Sequence, residues 1–93
     1  MIGEVNVMVS KDVVVKNSTG LHARPATLLV KKASSFKSDI SIEFNGKKAN
    51  VKSLIGVLSL AVTKEATIKV IASGSDEEQA VEEIVKLVDS LEE

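Results

Sequence analysis

The only histidine in this 93-residue chain, His22, is the side chain best suited to covalent chemistry. It lies in the segment TGLHARPA, residues 19–26, in which Pro25 suits the first turn of a helix because its φ is already helical and its missing N–H costs nothing there. His22 is then predicted at the helix N-terminus, where free backbone N–H groups favour an anion. A neutral ring nitrogen is a nucleophile, and Arg24 could hold a phosphoryl group once the ring has accepted it.

Each of these residues also has a plain structural interpretation. A histidine at a helix start is often only a surface or capping residue, Arg24 could be a solvated charge, and Pro25 a simple helix starter. Ser53, which precedes LIGVLSL, would by itself be predicted only as the N-cap of a short helix that ends at Leu58 or Leu60. These segments taken singly leave both interpretations open.

The composition excludes several classes of function. One histidine and no cysteine cannot supply a structural zinc site, so we expect no metal and no cofactor. A net charge of −1 and two aromatic residues, both phenylalanine, argue against nucleic-acid binding. No apolar run is long enough to cross a bilayer, no secretory signal is evident, and the lack of cysteine suits a reducing compartment. We therefore expect a cytoplasmic protein that does not insert into membranes.

The hydrophobic pattern predicts the order strand, helix, hairpin, short helix, strand, helix in one domain, residues 1–93. Alternating residues predict strands in the segments that contain Val5, Val7 and Val9, then residues 13–16, 40–44, 47–51 and 67–73, with Asn45-Gly46 as a hairpin turn. Helical spacing predicts helices at about residues 23–34, after Ser53, and after the capping-box pattern SDEE at residues 75–78. The last of these helices has an apolar stripe at Ala80, Ile84, Leu87, Val88 and Leu91. Half-buried strands need one covered face, so we expect an α+β fold with all helices on one side of an antiparallel sheet.

Two motifs together make the pattern specific. GLHARPA at residues 20–26 and KSLIGVLSL at residues 52–60 closely resemble HPr, the family of histidine phosphocarriers in the bacterial sugar phosphotransferase system. The resemblance extends from about Met8 to the C-terminus. It implies an open-faced β-sandwich, with a four-stranded antiparallel sheet and three helices packed on one face, and it makes residues 1–7 an N-terminal extension.

The resemblance also implies roles for individual residues. His22 matches the histidine that enzyme I phosphorylates on Nδ1, using phosphoenolpyruvate, and that passes the group to the A domain of a sugar-specific enzyme II. Arg24 matches the residue that helps hold this group, and Pro25 matches the helix starter. Ser53 matches a regulatory serine modified by an HPr kinase. The implied partner-binding surface comprises Ala23, Thr27, Leu54, Ile55 and Leu58.

Three features depart from the family pattern. Ala61 stands where many members have glycine near the partner surface, and Glu65 stands where a turn glycine is common, which puts the backbone there in question. The extension could lengthen the first strand or pair with the sheet edge of another molecule.

The leading hypothesis is a stoichiometric phosphocarrier that is not itself an enzyme, and we expect it to be a monomer. A second hypothesis is a regulatory module that presents phosphorylated Ser53 to a catabolite-repression regulator; relatives devoted to that role lack the active histidine, whereas His22 is present here. A carrier for a nitrogen-related branch ranks third, and a hydrolase or metal enzyme last because no acid–base pair surrounds His22 in sequence.

Overall fold

In the computed structural model, which describes residues 8–91, this part of the chain forms one four-stranded antiparallel sheet and three helices. Its elements in chain order are β1 (Val9–Val14), α1 (Ala23–Ala33), β2 (Asp39–Phe44), β3 (Lys47–Asn50), α2 (Leu54–Ser59), β4 (Thr67–Ser73) and α3 (Glu77–Ser90). The strand order across the sheet is β1-β4-β2-β3, and every neighbouring pair is antiparallel. The predicted α+β architecture is confirmed.

The two faces of the sheet differ in polarity. In the central strand β4, Ile68, Val70 and Ala72 are buried under the helices, and the residues between them face the other way. On that open face, the strand register places Asp12 opposite Lys69, Lys69 opposite Glu43, and Glu43 opposite Lys48. This row of alternating charges remains accessible to solvent, and the helices pack on the other face of the sheet.

The first strand differs from its prediction. The sequence pattern indicated two separate extended segments, whereas the structure has a single strand from Val9 to Val14. Val15 lies past the strand and is fixed by other partners: its N–H donates to the Ala66 carbonyl at 2.9 Å, and its carbonyl accepts from the Glu65 N–H at 2.6 Å. The predicted contribution of Val5 and Val7 lies outside the described residues.

Two local signals are confirmed by the backbone. Asn45 and Gly46 have φ values of 57° and 81°, as a two-residue type I′ hairpin requires. Ser53 is the N-cap of α2, and its Oγ accepts a hydrogen bond from the Gly56 N–H at 3.1 Å.

The start of α3 was predicted wrongly. The N-cap is Asp76 rather than Ser75, and its carboxylate makes no capping bond within the helix. It accepts instead from the Lys37 N–H at 3.0 Å, the Ser38 N–H at 2.9 Å and the Ser38 hydroxyl at 2.5 Å. These bonds, led by the Ser38 hydroxyl, lower the pKa of Asp76 from its ordinary value. They join the segment after α1 to the start of α3, a contact that a local capping pattern cannot reveal.

Ala61 and Glu65 both adopt the left-handed backbone conformation, with φ values of 54° and 69°. Ala61 follows the end of α2, and its N–H donates to the Leu58 carbonyl at 3.1 Å. Glu65 is the third residue of a turn closed by a 3.2 Å bond from the Ala66 N–H to the Thr63 carbonyl. Glycine is preferred at both kinds of position because a Cβ is unfavourable there. The chain therefore keeps a glycine-type backbone without glycine.

We predict that Asp76→Asn removes part of the stability that this protein has at neutral pH. A carboxyl whose pKa is lowered by folding stabilises the folded state above its unfolded pKa of about 3.9, and this contribution is lost as the pH falls through the folded pKa. The variant should therefore be less stable than the wild type at pH 7, and the difference should shrink below about pH 4. Urea unfolding followed by circular dichroism from pH 7 to pH 2 measures it. Asp39→Asn, at an exposed carboxylate, is the matched control; a difference that stays constant with pH would contradict the prediction.

Replacing Glu65 by glycine should stabilise the fold by about 0.5–1 kcal/mol, because relief of the left-handed strain exceeds the added entropy of the unfolded chain. The same substitution at Glu82, exposed in the middle of α3, should cost about 1 kcal/mol. Urea midpoints of the two variants test the opposite signs. Equal destabilisation of both would show that Glu65 carries no such strain.

Candidate functional site

His22 occupies the N-cap position of α1. Its φ and ψ of −83° and −166° are extended, and its carbonyl accepts the first helical hydrogen bond from the Ala26 N–H at 2.8 Å. The imidazole makes no capping bond, and the residue is exposed. The backbone thus starts the helix while the ring remains accessible to a reactant.

The loop before His22 is held against the segment that follows α2. The Leu21 N–H donates to the Val62 carbonyl at 3.1 Å, and the Leu21 side chain is only 2% exposed. Gly20 has a φ of 65°, and a Cβ on it would overlap the Val62 carbonyl oxygen and lie 2.9 Å from the Thr63 Cα. Only glycine combines this backbone angle with this approach, so Gly20 fixes the position from which His22 projects.

A buried asparagine shapes the same loop. Asn17 is 3% exposed, and its Nδ2 donates to the Gly20 carbonyl at 2.6 Å and to the Thr19 Oγ1 at 3.2 Å. The backbone carbonyl of Asn17 accepts a hydrogen bond from the Gly20 N–H at 3.2 Å. Sequence reasoning identified residues 17–20 as a turn but missed Asn17 as a buried anchor. The available signal was its polar side chain three residues before a glycine.

One side of His22 is suited to an anion. A cleft of about 220 Å³ is lined by Thr19, His22, Ala23, Arg24 and Pro25. The first-turn N–H groups of Ala23 and Arg24 have no carbonyl acceptor within the helix, and the Arg24 side chain is exposed beside them. Backbone donors at a helix N-terminus and an arginine thus line the same cleft as His22. Thr19 also lines this cleft and was not predicted.

The other side of His22 is apolar and leads to α2. A cleft of about 430 Å³ reaches from the imidazole to Leu58 and includes Leu21 and Ala61. Leu54 and Leu58 are each 38% exposed and Ile55 is 80% exposed, an unusual display of apolar surface for a six-residue helix. Three of the predicted partner-binding residues therefore lie on the surface, and Leu58 shares a cleft with His22.

The remaining predicted residues lie at the two ends of this surface. Ala23 lines the anion cleft, and Thr27, one turn further along α1, is exposed with its hydroxyl bonded to the Ala23 carbonyl at 2.7 Å. Ser53 is exposed at the opposite end of α2 from Leu58, separated from it by roughly one helix length of 9 Å. The structure therefore unites His22, Ala23, Arg24 and Pro25 in one cleft and places Ser53 outside it.

Two further observations bear on function. Among residues 8–91, no three histidine, aspartate or glutamate side chains are grouped as metal ligands would be. No helix in that part of the chain has the length and apolar character required to cross a membrane.

Comparison with known proteins places this site in context. Residues 9–90 match the family model described as the PTS HPr component phosphorylation site. The HPr-like protein Crh of Halalkalibacterium halodurans is 48% identical over 82 residues, which cover 88% of this chain and 98% of Crh.

Solved structures show the same architecture. The phosphocarrier protein HPr of Bacillus anthracis superposes with a TM-score of 0.85 at 44% identity, covering 88% of this chain and 98% of that one. The catabolite-repression protein Crh of Bacillus subtilis, which is described as a domain-swapped dimer, superposes with a TM-score of 0.71 at 40% identity, covering 95% of this chain and 92% of its own.

Proposed function

Because this chain belongs to the HPr family of phosphocarrier proteins of the phosphotransferase system, we propose that it carries a phosphoryl group on His22. The group comes from phosphorylated enzyme I and goes to the A domain of a sugar-specific enzyme II. Residues 1–93 act as a single HPr domain with residues 1–7 as an extension. The protein is a stoichiometric carrier, since it is modified and regenerated in each cycle.

The observation that carries this proposal is the exposed imidazole at the N-cap of α1, beside the free first-turn N–H groups and Arg24. In the forward step the lone pair of His22 Nδ1 forms the new N–P bond while the bond from phosphorus to enzyme I breaks, and enzyme I keeps that electron pair. The transferred charge then lies against the amides of Ala23 and Arg24 and the guanidinium. The second transfer repeats the exchange with enzyme II as acceptor.

Docking of both partners uses the apolar surface next to the ring. Leu54, Ile55 and Leu58 would be covered by a partner, together with Ala23 and Thr27 at the start of α1. A shuttle must release each partner quickly, so this interface should be small and short-lived.

Ser53 serves as a regulatory site, with an HPr kinase as the modifying enzyme. Its Oγ bonds the Gly56 N–H, so a phosphate here joins the existing cap of α2 without breaking into the core. Its charge lies beside Leu54 and Ile55, where it opposes the desolvation that docking requires. Phosphorylation of Ser53 thus weakens transfer to His22 from a distance of about one short helix.

A second candidate function is favoured by the relationship to Crh at 48% identity. In this role the protein presents phosphorylated Ser53 to a catabolite-repression regulator, and the same exposed α2 surface supplies the contact. We rank this role second because His22 is intact, and the carrier role and the regulatory role are compatible. A monomer is the proposed state of association, and light scattering distinguishes 9.9 kDa from twice that mass.

Incubation with enzyme I and phosphoenolpyruvate should add one acid-labile phosphate, which intact-mass spectrometry detects, and His22→Ala should abolish it. Arg24→Ala should slow the transfer about 10- to 100-fold, because a charge-assisted hydrogen bond is worth about 1.5–3 kcal/mol. Lys47→Ala, a cation lost from the β2–β3 hairpin, is the matched control and should transfer at the wild-type rate. Phosphorylation that persists in His22→Ala would refute the carrier role.

Ser53→Asp should accept phosphate from enzyme I about tenfold more slowly than the wild type, because it adds charge beside the docking surface. Ser10→Asp makes the same change at an exposed site on β1 and should have little effect. Initial rates of phosphorylation by enzyme I, measured at subsaturating concentrations of each variant, distinguish Ser53→Asp from Ser10→Asp. In parallel, an ATP-dependent kinase should add an acid-stable phosphate that Ser53→Ala lacks. Equal rates for Ser53→Asp and the wild type would remove the regulatory proposal.

A further inference from the structure

A groove between α1 and α3 forms a second concave surface on the helical side of the molecule. It consists of two connected clefts of about 390 Å³ each, which share Lys32 and Leu87. We define this α1–α3 groove by Leu28, Lys31, Lys32, Lys86 and Leu87. It is separate from both clefts that contain His22.

The floor of the groove is apolar and incompletely covered. Leu28 is 43% exposed, although the buried face of α1 is formed by other residues of the helix. Leu87 of α3 is only half-buried and packs at the edge of the core. Two leucines that face a shared concavity can take up an apolar side chain from outside.

The rim of the groove is basic. Lys31, Lys32 and Lys86 are exposed, and the acidic side chain that lines the groove is Glu83, which pairs with Lys32 at 3.4 Å. Three lysines against one glutamate leave an excess of two positive charges, on a chain whose net charge is −1. This surface therefore attracts an acidic ligand although the whole protein does not.

The groove and the anion cleft lie along the same face of α1. Leu28 and Lys31 follow Arg24 by four and seven residues, which places all three on the same side of the helix. A partner whose reactive group meets His22 can therefore extend one or two helical turns further and reach the groove.

From the shared face of α1 and the basic rim we infer that the α1–α3 groove docks an acidic segment of a partner protein, with an apolar side chain inserted between Leu28 and Leu87. The inference rests on the proposed carrier function and adds a recognition element to it. A protein segment suits the surface because a concave groove between two helices accepts a protruding side chain, whereas a flat lipid surface contacts protruding residues. The lysines would bind the carboxylates on either side of the anchor.

The test uses a labelled synthetic helical peptide of about three turns, rich in glutamate and with leucines along one face. Titrated into the full chain, it should shift the backbone amide resonances of the α1–α3 groove. The double variant Lys31→Glu/Lys86→Glu and the single variant Leu28→Ala should each weaken binding about tenfold. Lys47→Glu/Lys48→Glu makes the same charge change on β3 and serves as the matched control.

Loss of affinity in the groove variants but not in the control supports the inference. The inference is overturned if the peptide shifts only the amide resonances of α2. It is also overturned if the groove variants and the control variant lose the same affinity for the peptide. Vesicles of phosphatidylglycerol and phosphatidylcholine form a further arm, and binding to them without binding to the peptide also overturns it. Acid-labile phosphorylation of wild-type His22 by enzyme I is measured in a separate assay. A negative result for peptide binding therefore does not affect the carrier function, and a negative result for phosphorylation contradicts the carrier function directly.

Discussion

The site depends on one close backbone contact, between Gly20 and the carbonyl of Val62. A side chain at Gly20 would collide with that carbonyl, and the adjacent Leu21 N–H bonds to the same oxygen. The contact joins the loop before α1 to the segment after α2, two parts of the chain about 40 residues apart in sequence. Because Leu21 is buried and His22 is the next residue, the imidazole must project outward at the start of α1. The contact thus helps to place the N-terminus of α1 beside the apolar surface of α2.

The two ends of the short helix α2 lie next to different features of the molecule. Its C-terminal end, with Leu58, borders the cleft of His22, while its N-terminal end is capped by Ser53. A helix of six residues is too short to be stable alone, so the core around Val57 and the cap must hold it. Such an element can display apolar side chains to a partner and carry a modification site within reach of them. This arrangement explains how charge at Ser53 could influence docking without contact with His22.

The two sides of the fold present different surfaces. The open face of the sheet carries one row of alternating charge, formed by Asp12, Lys69, Glu43 and Lys48. The helical side carries both clefts at His22 and the α1–α3 groove. The exposed leucine and isoleucine side chains of α2 beside the cleft of His22 suit the proposed docking of successive partners.

Short-range patterns in the sequence determined the hairpin at Asn45-Gly46, the Ser53 cap and the helix start at His22, because each depends on hydrogen bonds or φ angles within a few residues. The same local reasoning failed at Asp76, whose carboxylate bonds a loop 38 residues away. Burial of Asn17, the fit of Gly20 against Val62 and the groove between α1 and α3 were likewise decided only by the tertiary structure. These features arise where distant segments meet, and no spacing within either segment records which surface of the other will face it.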